Sequence, residues 1–191
     1  VVRRLSGGGA VYHDEGNLNF SFIMEDDGES FRNFGKVTQP IIDALHDMGV
    51  EGAELKGRND LLIDGKKFSG KAMYSTNGRM FAHGTLMFDS DVNEVVNALK
   101  VRKDKIESKG IKSIRSRVTN IKPYLTDTHQ HMSTVDFRQE ILLKIFETDK
   151  LEDVNVYKLT EHDWERINAI SDKLYRNWDW NYGRSPEFDL V

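Results

Sequence analysis

The chain has 191 residues, with 27 Lys and Arg against 31 Asp and Glu, a formal net charge of −4, and no Cys. That length bounds it to one domain, or one with a small appendage, and 38% hydrophobic residues with ten Phe, six Tyr and three Trp can fill a core. The balance of charge excludes a general nucleic-acid binder; the missing Cys excludes disulfides and thiolate chemistry and fits a reducing cytosol; and no apolar run or leader pattern points to a membrane.

In chain order, Val1-Val2 reads as strand with nothing before it, and Phe188-Asp189-Leu190-Val191 carries no helix stop, so truncation at both ends of a single domain over 1–191 is expected. Arg3-Arg4-Leu5-Ser6-Gly7-Gly8-Gly9-Ala10-Val11-Tyr12-His13 follows. Three Cβ-free residues can bend the backbone around an oxyanion, and Arg4 offers a permanently charged fork, so the stretch reads as an anion cradle or as a flexible loop. Asn17 to Met24 alternates Leu18, Phe20, Phe22 and Met24 with other residues, a half-buried strand. From Ser30 to Met48, Phe34, Val37, Ile41, Leu45 and Met48 recur on one helical face. Pro40 interrupts it, so Thr38 is expected to cap a second segment with Pro40 in its first turn.

Strands are expected at Leu61 to Ile63, Lys67 to Tyr74 and Met80 to Phe88, with turns at Gly65 and at Asn77-Gly78, the second a strong hairpin signal. Val92 to Leu99 reads as a short helix and Lys100 to Lys109 as a solvated charge run. One later helix spans Val135 to Glu147, striped by Phe137, Ile141 and Ile145. Another starts at Thr160, with Asp163 closing a capping box, Leu159 stapling Trp164, and an apolar face through Ile167, Ile170 and Leu174. Helices set between runs of strands, rather than alternating with single strands, point to an α+β fold.

Lys56 to Ala72 carries a second chemical segment: Asn59-Asp60 before one strand, Lys67 opening the next, and Ser69-Gly70 behind it. A strand glycine often marks close approach by a ligand. Asp60 could bind Mg²⁺ or serve as a turn aspartate, and one carboxylate makes no cage. His13 and His83 read singly as structural, and His129 with His131 as surface loop residues. Ser6 has no G-x-S-x-G context and no triad assembled by spacing. The dinucleotide fingerprint and the P-loop pattern are absent.

Arg3 to Asp14 with Gly16-Asn17-Leu18-Asn19-Phe20-Ser21 resembles the signature of lipoate–protein ligases. In matching order come Gly57-Arg58-Asn59-Asp60-Leu61, Lys67-Phe68-Ser69-Gly70-Lys71-Ala72, His83-Gly84-Thr85-Leu86, Ser116-Arg117-Val118-Thr119-Asn120 and Trp180 to Pro186. The resemblance implies a mixed, largely antiparallel sheet flanked by helices, shared with biotin–protein ligases and octanoyltransferases. It implies two steps: ATP adenylates lipoate to lipoyl-AMP with loss of pyrophosphate, then a lysine of an acceptor domain displaces AMP. Acceptors in the family are lipoyl domains of 2-oxoacid dehydrogenase acyltransferase subunits and the glycine-cleavage carrier protein; neither nucleic acid nor membrane is a partner, and the location implied is cytoplasmic.

By that resemblance Lys67 is the catalytic lysine, touching the acid's carboxyl oxygen and the phosphate. Arg4 with Gly9, Ala10, Val11 and Tyr12 matches the nucleotide-contacting stretch. Ser6, His13 and, with less definition, His83 match lipoyl-side positions, and Asp60 one near Mg²⁺ and the adenylate. The Phe- and Leu-rich strand after Asn17 is the candidate wall for the dithiolane chain. Family members extend upstream and often carry an accessory domain downstream. Among rivals, cysteine-dependent transferases of this fold drop out with no Cys in the chain. Biotin–protein ligase has a phosphate loop richer in alternating Arg and Gly, and a non-catalytic lipoyl-binding domain would tolerate loss of Lys67.

Overall fold

The computed structural model describes residues 1–28, 33–57, 60–99 and 117–184. They fall into two compact units, Ser6–Val154 and a smaller one made of Val1–Leu5 with Asn155–Val191. The expected charge run at Lys100 to Lys109, the helix start at Ser30, and Arg58, Asn59, Ser116, Ser185 and Pro186 of the signature blocks lie outside the described residues.

The larger unit is built on β1 (Asn17–Glu25), α1 (Phe34–Asp47), β2 (Ala53–Lys56), β3 (Asp60–Ile63), β4 (Lys66–Thr76), β5 (Arg79–Met87), α2 (Val92–Ala98) and α3 (Thr134–Ile145). The strands form one sheet in the order β1-β5-β4-β3-β2. Every neighbouring pair is antiparallel, and a parallel bridge from Lys67 to Val118 makes the sheet mixed. The fold is therefore α+β, as the element order implied. Asn77 and Gly78 both take positive φ, 51° and 72°, the two-residue turn whose twist suits a hairpin. Strand β2 was not anticipated.

Helix α1 runs unbroken through Pro40. Asn33 caps it by accepting from the Lys36 N–H at 3.2 Å. Thr38 starts no second segment: its hydroxyl donates back to the Phe34 carbonyl at 2.6 Å, the i−4 bond open to a helical threonine. Pro40 forfeits one backbone bond to Lys36, and burial of Val37, Ile41, Ile42, Ala44 and Leu45 against the sheet offsets it.

The core lies on one side of the sheet. Ile41, Leu45 and Met48 pack with Leu61, Ile63, Phe68, Leu86, Phe88, Ile121 and Phe137, and Leu18, Phe20 and Phe22 press on the same cluster. Phe88 stacks on Phe137 with ring centroids 4.3 Å apart. The Gly16 carbonyl accepts from both Phe88 N–H and Asp89 N–H at 2.9 Å, pinning the start of β1 to the exit of β5.

Helix α3 is capped by reciprocal bonds between Ser133 and Asp136. In the smaller unit α4 (Glu161–Ile170) begins with the expected Thr160–Asp163 capping box. Its stripe differs from expectation. The helix gives way to a wider turn at Ser171–Tyr175, and Trp164, Ile167 and Ile170 stay exposed. Among the described residues no helix is long and apolar enough to cross a membrane.

Candidate active site

Antiparallel pairing puts cross-strand partners on the same face of a sheet. Asp60 pairs with Gly70, Ala72 with His83, and His83 with Ser21. These residues therefore share the face turned away from the core. Leu18, Phe20 and Phe22 alternate onto the other face, so the strand expected to wall an acyl chain points its aromatic residues into the core instead.

Lys67 reaches this open face through an irregularity in β4. Leu61 pairs with Ser69 but Leu62 pairs with Lys67, leaving Phe68 as an extra residue. The bulge lets Phe68 and Ser69 both be buried while Lys67 stays half-exposed. Beyond the sheet, Lys67 N–H donates to the Arg117 carbonyl at 2.6 Å, and its own carbonyl accepts from Thr119 N–H at 2.9 Å. Both polar groups of the Lys67 backbone are thus held by the 117–119 segment while its ammonium meets Asp60 Oδ1 at 2.8 Å. A Cβ on Gly70 would lie only 3.2 Å from Lys67 Nζ and 3.3 Å from Cε. A strand glycine is expected to admit a ligand; here the group that approaches it is the Lys67 side chain.

Ser6 and His83 come together across 77 residues. Ser6 is buried, and its Oγ lies 2.5 Å from His83 Nε2. No spacing rule linked them. In the loop that follows, Gly8 takes φ +110°, a conformation that favours glycine. A Cβ on Gly7 or Gly9 would meet nothing within 4 Å. His13 Nδ1 shares a 3.1 Å hydrogen bond with Asn17 Nδ2 at the head of β1. Tyr12 is held above its ordinary range by partial desolvation and by the charges of Asp14, Glu94 and Asp91. Ala10 and Val11 continue the loop, with Val11 exposed.

Lys71 was not singled out in the sequence, and the structure buries it. It pairs with Gly84 on the core-side face, and its Nζ sits 5.6 Å from the centroid of the Phe34 ring. Burial lowers its pKa from 10.5 to about 8, with Asp60 opposing the shift. The unfolded chain therefore holds a proton between pH 8 and 10.5 that the folded chain has lost, so stability rises with pH across that window. Below it the cost of the buried ammonium is fully present, up to about 3 kcal/mol. Lys71→Met is expected to raise the urea midpoint at pH 7 and to flatten the climb above pH 8. A parent midpoint that stays level from pH 8 to 10 contradicts this account.

Arg4 belongs to the smaller unit, in which the first and last signature blocks meet. Arg3 N–H donates to Asn181 Oδ1 at 2.9 Å, and Trp180 Nε1 donates to the Arg3 carbonyl at 2.8 Å. Both polar groups of the Arg3 backbone are satisfied by side chains 177 and 178 residues away. Arg184 lies 4.8 Å over the Trp180 ring. Sequence reading noted Trp180 and Asn181 only as part of a matching block.

The remaining histidines behave as surface residues. His129 Nδ1 bonds the Thr126 hydroxyl at 2.7 Å, and no grouping of three metal-ligating side chains occurs among the described residues. Asp60, already ion-paired with Lys67, does not by itself fit a protein-held Mg²⁺ site.

Residues 1–146 match the family described as Lipoyl protein ligase A/B catalytic domain. The whole chain is 65% identical over 190 residues to Lipoate-protein ligase LplJ of Bacillus subtilis strain 168 and spans about half, 56%, of that protein's length. The bi-partite lipoate protein ligase of Thermoplasma acidophilum, solved in a study with its E2 lipoyl domain, aligns with a TM-score of 0.81 at 28% identity, covering 99% of this chain and 72% of that one. Lipoate-protein ligase A bound with ATP aligns at 0.74 and 25% identity, covering 95% and 71%.

Proposed function

Since the chain belongs to the lipoyl protein ligase A/B catalytic-domain family, we propose that it attaches lipoate to a specific lysine of lipoyl carrier domains, using ATP and passing through lipoyl-AMP. The observation that carries this reading is Lys67, fixed by two backbone bonds and laid along Gly70 beside Asp60, on the same sheet face as His83 with Ser6. An ATP-bound ligase among the structural neighbours supports the nucleotide.

In the first step a lipoate carboxylate oxygen attacks the α-phosphorus of ATP and pyrophosphate leaves. Lys67 supplies a cation to the carboxyl oxygen and the phosphate, stabilising charge as it develops rather than forming a bond. Arg4 and the backbone of Gly9, Ala10, Val11 and Tyr12 hold the nucleotide. Asp60 orients Lys67 and lies near the adenylate. Ser6, His13 and His83 line the lipoyl side. Mg²⁺ would enter with the nucleotide and would offset the negative charge of its phosphates. In the second step the acceptor amine attacks the acyl carbon and AMP leaves. The acceptors are lipoyl domains of 2-oxoacid dehydrogenase acyltransferases and the glycine-cleavage carrier protein. The working compartment is the cytosol, consistent with a chain that has no Cys.

The test is the chain with ATP, Mg²⁺, lipoate and an apo lipoyl domain, read as the mass gain of the acceptor. Modification that free biotin does not suppress is the expected result. A parallel arm supplies preformed lipoyl-AMP in place of ATP and lipoate. Transfer in that arm alone restricts the chain to the second step, and no transfer in either arm overturns the reading.

A further inference from the structure

A lysine amine with its ordinary pKa near 10.4 is neutral in only about one molecule in 2,500 at pH 7, so an amine-acylating site gains by removing a proton before attack. Within the ligase reading, on which this inference rests, Lys67, Asp60 and the nucleotide loop all serve charge on the acid and phosphate. None accepts a proton from the incoming amine. We propose that His83 is the general base of the transfer step and that Ser6 holds the imidazole in place until the amine arrives.

Three observations converge on this assignment. First, the Ser6 hydroxyl sits 2.5 Å from His83 Nε2, so an X–H group on a tetrahedral carbon chain already occupies the position that an amine N–H would take. Second, the ring is seated: Phe81 lies beside it at 5.4 Å between centroids, and Ala72 and Ser21 stand opposite on the flanking strands. Third, His83 pairs with Ala72, two residues along β4 from the Gly70 over which the Lys67 ammonium lies. Two residues along and one strand across is about 8 Å between backbones. Lys67 is anchored further along β4, but its side chain carries the ammonium back over Gly70, so the ammonium and the His83 imidazole can converge on one acyl carbon, one on its oxygen and the other on the nitrogen attacking it.

His83 Nε2 takes one proton from the lysine ammonium. The freed nitrogen pair forms the C–N bond, the bond from the acyl carbon to the phosphate oxygen breaks, and AMP leaves with that electron pair. The second nitrogen proton goes to water as the amide forms. By register, the other titratable groups on this face are Glu54 and Lys56 on β2, Asp60 on β3, Lys67 and Tyr74 on β4, Arg79 on β5 and Glu25 on β1. His13 is joined to the face through Asn17.

The experiment is single-turnover transfer from supplied lipoyl-AMP to an apo lipoyl domain between pH 6 and 10. His83→Gln, which keeps a polar group near Nε2, is expected to slow transfer by 10²- to 10⁴-fold at pH 7. The deficit should shrink as pH rises toward the lysine's own ionisation. Added imidazole should restore part of the rate to His83→Ala. Ser6→Ala, a positioning variant, should lose about tenfold and keep the parent pH profile. An equal deficit for His83→Gln at every pH, without imidazole rescue of His83→Ala, overturns the assignment. So does a lipoyl ester on Ser6 in quenched parent reactions, which would make the serine a nucleophile and His83 its activator. A parent that transfers nothing at any pH fails at the ligase reading itself and takes this inference with it.

Discussion

Lys67→Met is expected to cut lipoyl-AMP formation by about 10³-fold or more while leaving the fold intact. The magnitude follows from the role: losing one preorganised donor to a developing oxyanion costs roughly 10² to 10³ in rate, and a cation shared by two partners costs at least as much. Stability should hardly change, because Lys67 is half-exposed and its pair with Asp60 is solvated on both sides. Lys67→Arg should fare little better than Met. The ammonium lies along a crevice that exists because Gly70 has no side chain, and a planar guanidinium is wider than the amine it replaces. ATP–pyrophosphate exchange dependent on lipoate measures the step directly. Exchange at the parent rate in Lys67→Met would remove the lysine from the mechanism and, with it, the main argument for a ligase.

Gly16→Ala is expected to unfold the larger unit or to cost it about 3–5 kcal/mol, the range reserved for severe steric or core defects. A Cβ at this position would overlap the Asp89 carbonyl and the Ser90 N–H, both backbone groups with no rotamer to escape through. The same glycine accepts two bonds from Phe88 and Asp89, and its N–H donates to Asp14 Oδ1 at 3.0 Å. Asp14 in turn accepts from Asp91 N–H at 3.0 Å, so one methyl group disturbs the junction of β1, β5 and α2 together. Urea denaturation followed by circular dichroism reads the loss. A midpoint within 1 M of the parent would show that the backbone relaxes around the methyl far more easily than the packing implies.

What the sequence made legible was local. The alternation in β1, the Asn77-Gly78 turn and the Thr160–Asp163 box each depend on residues within one element, and each appears in the structure. Strand β2 escaped because Ala53-Glu54-Leu55-Lys56 is four residues long, too short for a period to declare itself. Thr38 and Pro40 misled because capping and back-bonding use the same hydroxyl, and only the length of buried helix on either side decides between them. The site divides in the same way. Lys67 and Asp60 are near neighbours in sequence, and motif order singled them out. Lys71 was hidden because a lysine in a charged stretch reads as solvated, and only the register with Gly84 turns it toward the core. The Ser6–His83 contact has no sequence signal, since it joins a loop residue to a strand residue 77 positions away.

The clamp on Arg3 sets an order in time. A ribosome adds roughly 5–20 residues per second from the N-terminus. Asn181 lies 178 positions after Arg3, so it is made roughly 10–35 s later. Until then no side chain is present to hold the Arg3 N–H and carbonyl, although every strand of the sheet has already been made. Arg3 therefore acquires these two backbone partners only after the whole sheet has been made, as synthesis passes Trp180 and Asn181.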